Sequence, residues 1–358
     1  MIKSKLLAST MLVSVAALVS AGSANAASLK LGGYIEFWAG YGNNESSVGN
    51  VNDFDIKQDS EIYFSISKKL NNGIKVGAKL EMEAGVGNHN DTTLFDESYG
   101  WMQTKYGKFS IGNNDVASSY VGGVSVVGPI GITKSDAADW LPGAQGELNN
   151  TDADLGAGDA QNITYFTPKI AGLQGIFSYV PDSSDGGHNT AYDNQETTGF
   201  HNHFSGALKY SAKMGGTSVS LGAGYSTVEN TDTANAASES NGFGLTGKVG
   251  FGGLLLSATY AKENNATDTD SYWAIAGRYK MGKNTFSIGY TEAEEDERTA
   301  WGNGDRGQND SELITVGVST NLGAGVSWAT SIASAENKQA GAAKVDGVAV
   351  VSGFKMNF

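Results

Sequence analysis

Residues 348–358, VAVVSGFKMNF, end the chain on a strict alternation. Val348, Val350, Ser352, Phe354, Met356 and Phe358 share one face; Val351, Gly353, Lys355 and Asn357 share the other. A period of two with one apolar face marks a half-buried strand. Chain ends are usually frayed and polar unless something ties them down. A strand that stops on a bare phenylalanine therefore needs a neighbouring strand to pair with and an apolar surrounding for its outer face.

The same period recurs upstream. In NTFSIGY (284–290), Phe286, Ile288 and Tyr290 oppose Thr285, Ser287 and Gly289. In SYWAIAGRYKM (271–281), Trp273, Ile275, Tyr279 and Met281 oppose Tyr272, Ala274, Ala276, Arg278 and Lys280. In GVSWATSI (325–332), Val326, Trp328 and Ile332 oppose Ser327, Ala329 and Ser331. Proline cannot donate to a sheet ladder and avoids strand interiors. The chain has only 4 prolines beside 49 glycines. Pro129 and Pro142 fall in one long irregular region, and Pro168 and Pro181 fall at segment ends.

The connections alternate in length. Tight turns are expected at 71–73, 106–107, 168–172, 213–216, 251–253, 282–283 and 321–323. Long polar loops are expected at 43–58, 86–95, 114–159, 182–199, 229–240, 264–270, 293–310 and 336–344. These seven turns and eight loops join sixteen strands, with both chain ends on the short-turn side.

Residues 1–26 read as a secretory signal peptide. Lys3 and Lys5 precede a short apolar stretch, and Ala24-Asn25-Ala26 is a small-x-small cleavage site. Without them the chain carries 22 basic against 38 acidic side chains, a net charge of about −16. That excludes a basic nucleic-acid surface. There is no cysteine, so an exported chain of this length is held together by something other than disulfides.

Two architectures make alternating strands. A sandwich buries apolar faces between two sheets, and has no need of long loops at one end only. A transmembrane antiparallel up-and-down β-barrel does: its strands need about 9–11 residues to cross, closure removes unpaired edges that lipid does not tolerate, and the outward face is apolar with aromatic girdles. The expected fold is an all-β barrel of sixteen strands over 27–358, with the last strand pairing with the first, LKLGGYIEFWAGY (29–41), and Phe358 at the periplasmic interface.

Three stretches resemble a known family, the sixteen-stranded trimeric general porins of Gram-negative outer membranes: LNNGIKVGAKLEME (70–83), YGWMQTKYGKFSIGNND (99–115) and QNITYFTPKIAGLQGIFSY (161–179). Together they make up about a seventh of the mature chain. The resemblance implies a homotrimer in contact with lipopolysaccharide. It also implies a C-terminal assembly signal, here Phe354, Met356 and Phe358, read by the barrel-assembly machinery. Finally, it implies that the loop after the fifth strand, residues 114–159, folds inward as the constriction. Loops this long are usually functional. This one carries Asp115, Asp136, Asp139, Glu147, Asp152, Asp154 and Asp159 against Lys134. The family sets such acids against a basic ladder, but the chain's three arginines are Arg278, Arg298 and Arg306. Candidate wall cations are Lys30, Lys75, Lys79, Arg278 and Lys355, all on expected inner faces.

Each motif has a plainer reading. The acidic loop either sets cation selectivity, as rings of carboxylates do, or is a solvated external segment. Asp152, Asp154 and Asp159 have the oxygen ligands of a structural Ca2+ site but lack the full ligand order ending in glutamate; no other cofactor or metal is expected. His201 and His203 could share a metal, but no third ligand is evident, and polar lumen residues are the expectation. The charged run 291–310 could bridge lipopolysaccharide through divalent cations or simply be solvated. Gly250, Gly252 and Gly253 fall on a turn rather than before a helix, so a dinucleotide reading fails.

The expected function is passive diffusion of small hydrophilic solutes with a preference for cations, and no catalysis. The alternatives are a porin specific for sugars or anions, an outer-membrane barrel enzyme, or a structural or adhesive barrel. A sugar slide needs an aromatic line, and Tyr34, Trp38, Tyr63 and Tyr272 point inward without forming an obvious one.

Overall fold

The computed structural model describes residues 27–44, 53–84, 95–132, 137, 139–141, 153–155, 157, 158, 160–182, 200–230, 238–264, 268–297, 307–339 and 344–358. In these segments the chain runs as β1 (Ser28–Asn44), β2 (Phe54–Lys69), β3 (Lys75–Glu83), β4 (Phe95–Thr104), β5 (Gly107–Asn113), β6 (Gln161–Phe166), β7 (Leu173–Asp182), β8 (Phe200–Met214), β9 (Thr217–Asn230), β10 (Ser238–Phe251), β11 (Leu254–Asn264), β12 (Asp268–Met281), β13 (Asn284–Glu297), β14 (Gly307–Gly323), β15 (Val326–Gln339) and β16 (Val345–Asn357). Each strand is antiparallel to its neighbours in sequence, and β16 returns to β1, so the sheet closes on itself.

Closure explains the chain's last residue. Tyr34 to Asn44 pair with Asn357 back to Gly347. Phe358 lies just past the strand yet is fastened by it: Phe358 N–H donates to Gly33 O at 3.1 Å, and Gly33 N–H donates to Phe358 O at 3.2 Å. No backbone group of the terminal strand is left to face hydrocarbon unpaired, which is the condition for a sheet to cross a membrane.

The tight turns fall at or within a residue or two of the places the sequence gives; the one expected at 321–323 lies instead at Ala324 and Gly325, because β14 runs on to Gly323. Gly252 and Gly282 have φ of +57° and +61°, left-handed values that side chains adopt only at a cost. Many strands are longer than the expected span: β1 and β14 have 17 residues each. The acidic flanks 293–297 and 307–310, expected as loop, belong to β13 and β14. Glu294↔Asp310 and Glu295↔Asn309 pair in register. Polar residues can continue the ladder above the membrane because water screens their charge there.

The two faces divide as the alternation requires. Outward positions carry the exposed large apolar side chains, among them Leu208, Leu245, Ile275, Ile288, Val316 and Val350. Cross-strand aromatic pairs flank this belt: Phe243–Tyr260 at 5.7 Å and Trp273–Tyr290 at 5.2 Å toward the loop end, Phe109–Tyr165 at 4.6 Å and Trp328–Phe354 at 6.4 Å toward the turn end. Such pairs add to sheet stability and suit a lipid interface. Inward positions are mostly Ser, Thr, Gly and Ala; Ser331, Thr315, Ala333 and Ala349 are buried there. A water-facing lumen would leave them exposed, so something lies against them. Residues 1–26 and 133–136 are outside the described segments.

The outward belt makes a depth-dependent prediction. Ile275 sits midway along β12 and is 51% exposed on the outer face. Ile275→Arg should lower unfolding free energy in lipid by about 2–4 kcal/mol, whereas the same change at the rim residue Met281 should cost far less; urea titration of the refolded barrel would read both.

Candidate pore constriction

The segment between β5 and β6 covers the inner wall. It starts with a short 3-10 turn, Ala117–Val121, packed against β7 to β10. It is tied down by hydroxyls at inward positions. Ser118, Ser125, Val127 and Ile130 donate backbone N–H groups to the Oγ atoms of Ser205 (2.8 Å), Ser257 (3.1 Å), Ser287 (2.9 Å) and Ser331 (3.3 Å), on β8, β11, β13 and β15. In return, Thr315 Oγ1 donates to Ile130 O at 3.0 Å, and the Tyr272 hydroxyl donates to Ile132 O at 3.1 Å. An irregular segment inside a barrel has no ladder of its own, and buried backbone groups must find partners; here the wall supplies them.

The wall also makes room. A Cβ at Gly317 would run into the Val127 carbonyl oxygen, and one at Gly40 into the Trp140 ring. Apolar contacts complete the attachment: Ile130, Ile132, Trp140 and Leu141 of the loop form one cluster with Ala274, Leu313, Ala333 and Val351 of the wall. Val116, Ala157 and Ala160, from its two ends, meet over Val180 on β7.

The loop thus follows the wall from β7 round to β16 and the upper part of β1. Beside the described part of the loop, a second stretch of wall runs along β2 to β5 and the lower part of β1, with Lys57 of β2 5.5 Å from the Trp140 ring. There the Tyr34 hydroxyl donates to Asp59 at 2.7 Å and to Glu61 at 2.9 Å, and the Tyr63 hydroxyl donates to Glu61. Carboxylate oxygens of Glu61, Glu83 and Asp96 lie within 4.8 Å of one another. Three lysines near this wall have described partners. Lys79 pairs with Glu81 and, at 3.6 Å, with Glu97, and stands 5.0 Å above the Tyr63 ring. Lys355 pairs with Glu36 at 3.0 Å and stands 3.7 Å above Tyr34. Lys108 lies over Phe166 at 4.9 Å and Tyr99 at 5.7 Å.

Of the seven loop acids read from the sequence, Asp136, Glu147, Asp152 and Asp159 lie outside the described residues. Asp115 is half-buried where the loop leaves β5, and burial, then the charges of Glu97 and Asp154, pushes its carboxyl up to about 6. Asp139 is raised as well, chiefly by burial, with Lys57 acting the other way. Asp154 is near Asp115, and it is the one member of the Ca2+ candidate set among the described residues. The close carboxylate group that does form is on the wall, at Glu61, Glu83 and Asp96.

The register puts Lys30, Lys75, Lys79, Arg278 and Lys355 on inward faces. The expected inward aromatics separate. Tyr272 is buried beneath the loop and Trp38 packs on the loop cluster, while Tyr34 and Tyr63 stay together, ring centroids 6.5 Å apart. A bulge separates the environments of His201 and His203. His203 is fully buried, while His201 Nε2 lies 3.6 Å from Glu229 across a bulge in which Asn202 has φ of +51°. The wall acids Asp59, Glu61, Glu83 and Asp96 are not among the acids expected from the sequence. The alternation that placed Tyr63 and Lys79 inward also placed Asp59, Glu61 and Glu83 inward, so parity marks those three, whereas Asp96 comes inward only through the register shift between β3 and β4.

Comparison with known proteins agrees with this architecture. The family description "Gram-negative porin" matches residues 8–340. No curated protein matches the chain. Among solved structures, the anion-selective porin from Comamonas acidovorans is similar at 18% identity and TM-score 0.64, covering 93% of this chain and 100% of that one. The trimer form of in-vitro folded OmpT, an outer membrane protein of Vibrio cholerae, is similar at 15% identity and TM-score 0.62, with the same coverage. A mutant of the Rh. blastica porin is similar at 18% identity and TM-score 0.59, covering 92% and 100%. At these identities the likeness speaks for the fold alone.

The anchoring hydroxyls and Asp115 can each be tested. A neutral hydrogen bond contributes about 0.5–1.5 kcal/mol, so the pair Ser287→Ala and Ser331→Ala should leave the barrel folded and increase current noise as the loop loosens. The carboxyl of Asp115 is raised in the folded chain, so the folded state binds its proton more tightly and ionising it at neutral pH destabilises the loop. That cost disappears as pH falls toward the unfolded value. Asp115→Asn should therefore raise the thermal midpoint above neutral pH and make little difference near about pH 4.

Proposed function

Because the chain belongs to the Gram-negative porin family, we propose that it forms a water-filled channel of the outer membrane through which small hydrophilic solutes diffuse passively, with a preference for cations. The family and the closed barrel place it in the outer membrane. Transport of this kind needs no nucleophile and no cofactor. The loop sets the narrow section, and the fixed charge beside it biases what passes.

The observation that carries the cation preference is the charge of the wall facing the loop. Lys79 and Lys355 are each paired with glutamate, whereas Asp59, Glu61, Glu83 and Asp96 have no described lysine within ion-pair distance. Local potential, rather than net charge, acts on a permeating ion. The loop acids Asp115 and Asp154 add to it near Glu97. Selectivity is thus assigned to wall and loop together, a change from the loop alone.

Oligomeric state follows the same reading. The similar OmpT structure is described as a trimer form, and we infer a homotrimer here, exported by residues 1–26, surrounded by lipopolysaccharide and inserted by assembly machinery that reads Phe354, Met356 and Phe358. A sugar-specific pore is the weaker reading, because Tyr272 is covered and the faces of Tyr34 and Tyr63 are occupied by lysines.

Reversal potential across a planar bilayer in a steep KCl gradient tests the assignment. The wild-type potential should be that of a cation-preferring pore, and Asp59→Asn with Glu61→Gln should move it toward zero. An anion-selective potential would mean that lysines govern the narrow section.

A further inference from the structure

The charges that line this barrel are sorted along its axis. The tight turns mark the periplasmic end and the long loops the external end. On the inward faces, Asp59 and Glu61 lie in the external half of β2, Glu83 at the external end of β3, and Asp96 at the external end of β4. Further round, Glu263 and Asp270 occupy the external ends of β11 and β12. The cations lie in the other half: Lys108 beside the tight turn of β5, Lys209 in the turn-side half of β8, Lys248 and Arg278 in the last four residues of β10 and β12. Lys209 is within electrostatic reach of Lys248, and Lys248 of Arg278. Inward groups that depart from this order are paired: Lys57 with Asp55 at 3.3 Å, and Glu36, midway along β1, with Lys355 at 3.0 Å.

From this sorting we propose that the channel is bipolar along its axis and rectifies current, with Lys209, Lys248 and Arg278 as the inner, anion-attracting half and Asp59, Glu61, Glu83 and Asp96 as the outer, cation-attracting half. When the external side is positive, cations enter through the acidic half and anions through the basic half. Both accumulate between the two, and conductance rises. With the polarity reversed, each half repels the ion driven toward it, the middle is depleted and conductance falls. The effect depends on fixed charges seen across water, so it weakens with salt: the Debye length is about 10 Å at 0.1 M and about 3 Å at 1 M. The proposal rests on the open-channel reading but not on the cation preference.

The test is the current–voltage curve of the purified barrel inserted in one known orientation. At low salt the current should be larger with the external side positive, and the asymmetry should disappear at high salt. The triple change Lys209→Gln, Lys248→Gln and Arg278→Gln should abolish the asymmetry and shift the reversal potential toward stronger cation preference. Asp59→Asn with Glu61→Gln should reduce the asymmetry from the other side, an independent check should the triple variant fail to fold. A straight curve at low salt, asymmetry of the opposite sign, or asymmetry unchanged in both variants would overturn the proposal. An anion-selective reversal potential with rectification intact would overturn only the cation preference, and a barrel that passes no current would overturn the channel reading and this inference with it.

Discussion

Every other feature depends on the pairing of β16 with β1. A sheet in hydrocarbon cannot leave an edge, because each unpaired amide or carbonyl there costs several kcal/mol. The eleven residue pairs from Tyr34↔Asn357 to Asn44↔Gly347 remove that edge, and the reciprocal bonds between Phe358 and Gly33 carry it to the last residue. Closure then fixes which side chains face inward on all sixteen strands, since a slip of one residue would exchange the two faces. The outward belt, the lumen charges and the landing site of the loop are consequences of that register.

Inside the closed wall the long loop poses the same difficulty in reverse. Its backbone has no ladder, yet residues such as Ile130 and Leu141 are fully buried. The wall answers with short hydroxyl side chains on β8, β11, β13 and β15 and with glycines where the loop comes closest. Ser205, Ser257, Ser287 and Ser331 accept from the loop amides, and Gly40 and Gly317 leave space for Trp140 and Val127. This divides the inner surface by chemistry: small neutral residues where the loop lies, ionised and aromatic residues where water passes. Ionised side chains thus gather on β1 to β5, and in the turn-side half of the barrel also on β8, β10 and β12, as Lys209, Lys248 and Arg278; the fold sets these positions without dictating which side chains fill them.

The ionised wall is ordered within itself. Lysines rest on tyrosine faces and pair with glutamates, arrangements that combine cation–π attraction with charge pairing. Tyr34 and Tyr63 in turn donate to Asp59 and Glu61, which positions the carboxylates without cancelling them. Rigid anchoring matters here because a fixed charge acts on a passing ion only from a fixed place.

The sequence by itself determined the strand period, the alternation of tight turns with long loops, the number of strands and the need for closure. These rest on local chemistry: side chains that alternate every two residues, proline at segment ends, glycine where φ turns positive. It also determined which lysines point inward, because parity follows from the same period. Strand ends were less legible, since the acidic ladder of β13 with β14 has no apolar face to reveal it. Only the tertiary structure decided which inward residues meet water. Tyr272 and Tyr63 have the same parity and similar neighbours, yet the loop buries one and leaves the other facing the lumen. That choice depends on where a segment distant in sequence comes to rest, and no local pattern in either strand records it.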